Sequence, residues 1–200
     1  MKITILDIET KADKSLLPVF TSGISAPKTW KDEAKIKEYL AKKEKEANRL
    51  MATDTDYADI ICIGIKELGQ DPRLFNLPEF ITWYNEAIKD DAVRWVTFNG
   101  KKFDFPVIIK NGVKAGYEMP YRELKEASKR WHSPNHWDLM EIIGDSEWKS
   151  LDTYAKIYLG TEKKEIDFET ATEEVIKEHC LEDLGLTEEL FKKFRYLCYA

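Results

Sequence analysis

The 200-residue sequence is poor in several residue types, and each shortage excludes a class of protein. Three cysteines stand far apart, so neither a disulfide framework nor a Cys-based zinc site is expected. No apolar run approaches the ~18 residues of a membrane span, and the N-terminal residues lack the apolar core of a signal peptide. Nine glycines and seven prolines in a chain that is 43% hydrophobic exclude collagen-like, low-complexity and disordered proteins. We therefore expect a soluble, cytoplasmic protein with no membrane partner.

Basic residues are outnumbered by acidic ones, 31 to 37, and the formal net charge is −6. That balance argues against a basic, nucleic-acid-binding surface over the whole molecule. The sign varies along the chain, however, because residues 28–51 and 101–130 are net basic and residues 162–192 are strongly acidic. Such a distribution is typical of an enzyme that binds both metal cations and phosphates, although solvated helix faces would explain each stretch equally well.

Apolar runs that alternate with helical patterns predict one α/β domain over residues 1–200. The predicted strands cover residues 2–8, 60–65, 73–76, 94–98 and 136–140. The predicted helices cover residues 31–51, 78–88, 150–159, a segment that begins near Pro106, and a last segment from 171 to near the C-terminus. The Lys- and Glu-rich residues 28–52 are interpreted as a helical insertion after the first strand. That insertion is either a basic arm that follows a nucleic-acid backbone or a solvated helix, and the second interpretation is slightly favoured.

Carboxylates occur at positions where apolar core residues are expected. Asp7 and Glu9 continue the face that Ile3 and Ile5 begin, at the carboxyl end of the predicted central strand. Ligands bind at that end of open α/β sheets. On the last helix, Asp183 falls on the apolar stripe, since it follows Cys180 and precedes Thr187 at helical spacing. The alternatives are a polar strand end for the first pair and a partly exposed helix position for Asp183.

Asp104 is a fourth candidate, between two phenylalanines just after the Asn99-Gly100 turn. Taken alone, it would be interpreted as a helix-capping aspartate. Together, four carboxylates on three elements predict an oxygen-ligand site for hard divalent cations. Two such ions would bridge a phosphate, activate water and stabilise the leaving oxygen of a displacement.

Three stretches carry a resemblance to a known family: Asp7-Ile8-Glu9-Thr10, Asn99-Gly100 through Phe103-Asp104 to Pro106, and His179 through Asp183 to Thr187. They resemble the three exonuclease motifs of the DEDD superfamily, and most of all the proofreading domain of family-B DNA polymerases and its stand-alone phage and bacterial relatives. The resemblance implies a ribonuclease H-like fold, with a five-stranded mixed sheet whose second strand is antiparallel to the rest. It also implies hydrolysis of single-stranded DNA from the 3′ end to 5′-monophosphates, with two divalent ions, Mg²⁺ or Mn²⁺.

By this resemblance, Asp7, Glu9 and Asp183 are direct metal ligands and Asp104 holds the second ion. Asn99 would position the strand, and Thr10, Phe103 and Phe105 are further candidates for substrate binding. His179 departs from the family pattern, because it is a histidine at the tyrosine spacing, four residues before Asp183. An imidazole there could orient the attacking water or accept its proton, so His179 joins the predicted catalytic residues. It could instead mark a weakened enzyme.

Several alternatives remain open at this stage. The substrate could be short RNA, or the chain could be a catalytically impaired nucleic-acid-binding protein that retains the fold. Because no polymerase domain follows, we expect the protein to act alone or beside a separate DNA polymerase in replication or repair. A zinc site at His132 and His136 is disfavoured, since no third ligand is evident. Asp138 is expected to serve the structure at a strand end.

Overall fold

The structure is a computed structural model that describes residues 2–90, 93–130, 133–144, 147–164, 166–168 and 170–198. Within these residues the chain forms five strands and eight α-helices. The strands are β1 (Lys2–Ala12), β2 (Ala58–Glu67), β3 (Arg73–Phe75), β4 (Val93–Thr97) and β5 (His136–Asp138). The helices are α1 (Leu17–Ser22), α2 (Glu33–Ala52), α3 (Leu77–Asp90), α4 (Asp104–Ala115), α5 (Tyr121–Ala127), α6 (Leu139–Gly144), α7 (Leu151–Leu159) and α8 (Glu173–Cys198).

The five strands form one mixed sheet in the order β3-β2-β1-β4-β5. β1 pairs in parallel with β4, with Ile5 opposite Val96, and β4 pairs in parallel with β5. β2 is antiparallel to β3. The N–H of Leu68, just after β2, donates to the carbonyl of Ile3 at 3.0 Å, so the end of β2 lies beside the start of β1 and these two strands are also antiparallel. The predicted α/β fold, with an antiparallel second strand in a mixed sheet, is confirmed.

The chain divides into two compact units. The first contains the chain up to Glu9 and from Ile60 onward, and the second contains Thr10–Asp59. The second unit is longer than the predicted insertion at residues 28–52, because the end of β1, a short 3-10 helix at Lys14–Leu16 and α1 also belong to it. Its main helix, α2, begins after Asp32, whose carboxylate accepts the N–H groups of Ala34 and Lys35.

The core of the first unit forms where β1 and β4 meet the last two helices. β1 is apolar on both faces, as a central strand must be, and Ile5 and Leu6 are fully buried. α8 buries the predicted stripe, including Ile176, Cys180 and Leu190. The shared core therefore fixes the position of α8 relative to β1. The principal core cluster contains Ile5, Val96, Trp137, Leu139, Leu151, Tyr154, Ala155, Leu184, Leu186, Leu190 and Phe191.

Two absences expected from the sequence can be checked in the part of the chain that the structure describes. All three cysteines are free thiols, at Cys62, Cys180 and Cys198. Among the described helices, none combines the length and the apolar character needed to cross a membrane.

Candidate active site

β1 supplies the first two carboxylates of the site. Asp7 and Glu9 share one face of the strand, and the strand continues to Ala12, further than predicted. The parallel register with β4 covers β1 only as far as Ile5, opposite Val96. Both carboxylates therefore lie just beyond the carboxyl end of the paired segment, where the edge of the parallel ladder opens.

α4 contributes the third carboxylate through its first residue, Asp104. Its side chain is only 5% exposed. Burial raises the pKa of Asp104 well above its usual range, and the charges of Asp138 and Glu9 add to the rise. The backbone N–H groups of Ile8 and of Asp104 itself oppose that rise in pKa. The carboxylate of Asp104 therefore lies near Ile8 of β1, and the N-cap position of α4 is taken by Phe103 instead.

α8 contributes His179 and Asp183 from successive turns of one buried face. The imidazole Nδ1–H of His179 donates to Oε1 of Glu9 at 2.7 Å. The other ring nitrogen, Nε2, takes no part in this bond. Candidate ligand atoms of Glu9, His179 and Asp183 all lie within 4.8 Å of one another. Residues 170 positions apart in the sequence thus form one compact cluster.

A lysine that the sequence analysis did not select completes the cluster. The ammonium of Lys163 donates to Oδ2 of Asp183 at 2.5 Å. The backbone N–H of Lys163 donates to Oδ1 of Asp152 on α7 at 3.1 Å, which holds the segment after α7 against that helix. Only a Lys-Lys pair inside a strongly acidic stretch marks this position in the sequence, and that signal is too weak to select it.

The four carboxylates are electrostatically frustrated. Burial raises the pKa of Asp7 well above its usual range, and the neighbouring charges of Asp183, Asp104 and Glu9 raise it further. Burial likewise raises the pKa of Glu9, and the hydrogen bond from His179 opposes that rise. Burial also raises the pKa of Asp183, and the charge of Lys163 opposes that rise. One ammonium among four carboxylates leaves an excess of negative charge, and added cations would stabilise it.

Two carboxylate oxygens provide a direct test of whether this cluster fits metal ions. Oδ2 of Asp7 and Oδ1 of Asp183 are enclosed and, among the described residues, meet no hydrogen-bond donor. A buried acceptor without a partner costs about 1–3 kcal/mol, so a bound cation at these oxygens would remove that cost. Carboxylate oxygens are the ligands that Mg²⁺ and Mn²⁺ prefer, and the donor set therefore fits hard divalent cations.

A cleft of about 430 Å³ opens beside the cluster. Its lining contains three carboxylates, two lysines and one phenyl ring, so it could accept both a phosphate and a flat apolar group. The lining residues are Ile8, Glu9, Asp152, Lys163, Lys164, Ile166, Phe168, His179 and Asp183.

A family model described as a predicted 3′-5′ exonuclease related to the exonuclease domain of PolB matches residues 52–184. The matched range is about two thirds of the chain and contains Asp104, His179 and Asp183. The chain belongs to this family. Asp7 and Glu9 lie outside the matched range. Glu9 joins the other members of the cluster through its short distances to His179 and Asp183, and Asp7 through the charges of Asp183, Asp104 and Glu9 that act on it.

The fold is similar to that of the family B DNA polymerase from the hyperthermophilic archaeon Pyrobaculum calidifontis, with a TM-score of 0.57 at 14% sequence identity. The match covers 96% of this chain and 24% of the polymerase chain, so this chain spans about a quarter of the length of that protein. Among curated proteins, no significant sequence match was found.

The remaining residues predicted to bind substrate fall in different places. Phe105 is completely buried and packs edge-to-face against Trp95 and His136. A ring without an exposed face cannot stack on a base, so Phe105 leaves the substrate-binding set. Phe103 is half-buried directly before α4. Thr10 begins the second unit, where its hydroxyl donates to the carbonyl of Ala52 at 2.7 Å.

The carboxylate of Asp138 holds the loop that carries Asn99. Asn99 has a positive φ of 68°, which few residues adopt without support. The Asp138 carboxylate accepts the backbone N–H groups of Asn99, Lys101 and Met140 at 2.8–3.1 Å. Asp138 therefore has the structural role predicted for it, and it fixes the backbone of Asn99 before Asp104.

His136 supports the same loop from the other side. Its Nδ1–H donates to the carbonyl of Ala127, and its Nε2 accepts the hydroxyl of Thr97, both at 2.7 Å. The Thr97 oxygen in turn accepts the N–H of Gly100 at 3.1 Å. Burial lowers the pKa of His136 to about 3, so the ring is neutral at physiological pH. With both nitrogens engaged, His136 has no lone pair for zinc; His132 lies outside the described residues.

Proposed function

We propose that this chain is a metal-dependent 3′-5′ exonuclease that hydrolyses single-stranded DNA to 5′-monophosphates. The observation that carries the proposal is the convergence of four carboxylates from β1, α4 and α8, two of them with enclosed oxygens that lack a donor. Membership of a family of predicted 3′-5′ exonucleases supports the direction of cleavage.

In this proposal, two divalent cations, Mg²⁺ or Mn²⁺, are held by the carboxylates of Asp7, Glu9, Asp104 and Asp183. When bound, such ions neutralise charge on a scissile phosphate and favour deprotonation of water. Asp7 is the central ligand, since the charges of the other three carboxylates all act on it. The raised pKa values of these groups express the same demand for cations.

His179 is proposed to handle the proton of the attacking water. Its bond to Glu9 fixes the orientation of the ring and the tautomer, because an ionised carboxylate can only accept at Nδ1. Nε2 is then the nitrogen that can accept a proton or hold a water on the wall of the cleft. This division of roles is consistent with a histidine at the spacing that the resembled motif gives to a tyrosine.

Lys163 and Lys164 supply positive charge to the cleft wall, where the backbone of a strand would pass. Asn99 and Phe103, positioned by the loop that Asp138 supports, are proposed to hold the strand on the opposite side. A separate DNA polymerase is the proposed source of mismatched 3′ ends, as the structural similarity to a family B DNA polymerase suggests.

The experiment is a time course on a 5′-labelled single-stranded DNA and an RNA of matched sequence, each with EDTA, Mg²⁺ or Mn²⁺. The proposal predicts a ladder that shortens from the 3′ end of DNA only with metal. Faster shortening of RNA would assign the enzyme to RNA instead. Intact substrate in every lane, with strand binding retained, would indicate a binding protein and contradict the proposed reaction.

A further inference from the structure

Phe168 places an exposed aromatic ring in the acidic cleft. The side chain is 46% exposed, and its ring packs edge-to-face on the imidazole of His179, with centroids 5.2 Å apart. Several other large apolar side chains of the described residues are exposed to a similar extent, but among them only Phe168 lines this cleft. The ring therefore stands beside the groups that face a scissile phosphate.

The backbone around Phe168 is anchored on both sides. Before it, the N–H of Lys163 is bound to Asp152 of α7. The residue directly before the ring, Asp167, accepts at its carbonyl the N–H groups of Thr170 and Ala171, which follow the ring, at 3.1 and 2.8 Å, shortly before α8 begins. A ring presented by an anchored turn loses little conformational freedom when a ligand covers it.

Neither metal binding nor core packing accounts for this ring. A phenyl group supplies no ligand to a cation, and nearly half of its surface is in contact with water. A flat apolar surface at the edge of a site for phosphates matches one part of a nucleotide, which is the base. Stacking on aromatic side chains tolerates any base, because every base presents a π-face.

We propose that Phe168 stacks on the nucleobase at the 3′ end of the strand and so positions the terminal nucleotide for cleavage. This inference rests on the proposed exonuclease function and names the residue that contacts the terminal base. It predicts an enzyme that is indifferent to base identity but sensitive to whether a base is there.

The test compares DNA with a normal 3′-terminal nucleotide and DNA with an abasic tetrahydrofuran residue at that end. For the normal end, we expect Phe168→Ala to lower kcat/KM by about 5- to 150-fold, the range found when stacking aromatics are truncated. Phe168→Trp should retain the parent value, and Phe168→Leu should not. For the abasic end, parent and Phe168→Ala should be equal.

Tyr196→Ala is the matched control, because Tyr196 is an exposed aromatic near the end of α8 and does not line the cleft. It should leave both rates unchanged. An equal loss for Phe168→Ala on both substrates would overturn the stacking proposal and show that the ring only positions His179. No loss on the normal end would overturn it too.

A second readout does not depend on turnover. With Asp104→Asn in the background to prevent cleavage, the fluorescence of 2-aminopurine at the 3′ end should differ between the bound complexes with and without the Phe168 ring, because the ring changes the stacking of that base. If the parent protein cleaves nothing, the exonuclease proposal fails while this fluorescence still reports on stacking. If the parent cleaves and the fluorescence is the same with or without the Phe168 ring, the stacking proposal alone fails.

Discussion

Replacing Asp7 by Asn should stabilise the metal-free protein. Asp7 has one enclosed oxygen without a donor, and the charges of Asp183, Asp104 and Glu9 all oppose its ionisation. The neighbouring pair Glu9 and Asp183, whose ligand atoms lie within 4.8 Å of each other, gives the scale of such repulsion in this cluster. Two like charges at that distance cost about 3 kcal/mol at an effective dielectric constant of ~20.

An Asn side chain keeps the shape of Asp7, removes its charge and brings an amide that can donate to a neighbouring carboxylate. We therefore expect Asp7→Asn to raise the free energy of unfolding by about 1–3 kcal/mol at pH 7 without metal. For a chain of this size that is a rise of about 2–12 °C in Tm. The exposed residue Asp71 offers the matched control, Asp71→Asn, which should change little.

The sign of the pH dependence provides a sharper test of the same reasoning. Because the folded-state pKa of Asp7 is raised, the native protein holds a proton that the unfolded chain has released, and stability falls as the pH rises through that pKa. The advantage of Asp7→Asn should therefore be small near pH 4 and grow toward neutral pH. Urea unfolding in EDTA at several pH values measures it. A variant less stable than the parent at pH 7, or an advantage that shrinks as the pH rises, would refute the reasoning.

Three further substitutions test other parts of the account. Lys163→Met leaves Asp183 without its ammonium donor, so urea unfolding in EDTA should show a loss of about 1–3 kcal/mol, which saturating Mg²⁺ reduces; no loss would contradict the counter-charge role. His179→Tyr should retain substantial nuclease activity and His179→Ala should lose it in the same gel assay, whereas equal rates would remove His179 from the mechanism. Asp138→Asn has one oxygen for three backbone N–H groups, so Tm should fall by several degrees, and an unchanged Tm would show that the Asn99 loop does not depend on this carboxylate.

Local sequence patterns predicted most of the helices and strands, because neighbouring residues decide the secondary structure of those segments. β1 is apolar on both faces and α8 repeats apolar residues at helical spacing, so their burial followed from the sequence. α5 and α6 were missed because they are short, and the packing of Leu124 and Leu139 decides them more than their helix propensity does. α1 was missed for a similar reason: it has six residues and no side-chain cap.

The carboxylates of the site were predictable because charge in an apolar pattern is conspicuous along the chain. Lys163 was not predictable as a member of the site, since it lies in a segment without regular structure and its partner Asp183 is 20 residues away in the sequence. Phe105 was a candidate for substrate binding because aromatic rings stack on bases, but the sequence did not reveal that this helix position faces Trp95 in the core. Phe168 was overlooked because an isolated aromatic in an acidic loop has no pattern at all.

The central claim is that the carboxylate cluster is the site of phosphodiester hydrolysis. The most direct measurement is the rate at which mononucleotide is released from single-stranded DNA in Mg²⁺ by the parent, Asp7→Asn, Asp183→Asn and the control Asp71→Asn, with folding checked for each. The account predicts that the parent and Asp71→Asn cleave at the same rate, and that both cluster variants fold but release no nucleotide above the EDTA background. Release at the parent rate by a folded Asp7→Asn or Asp183→Asn protein would contradict it.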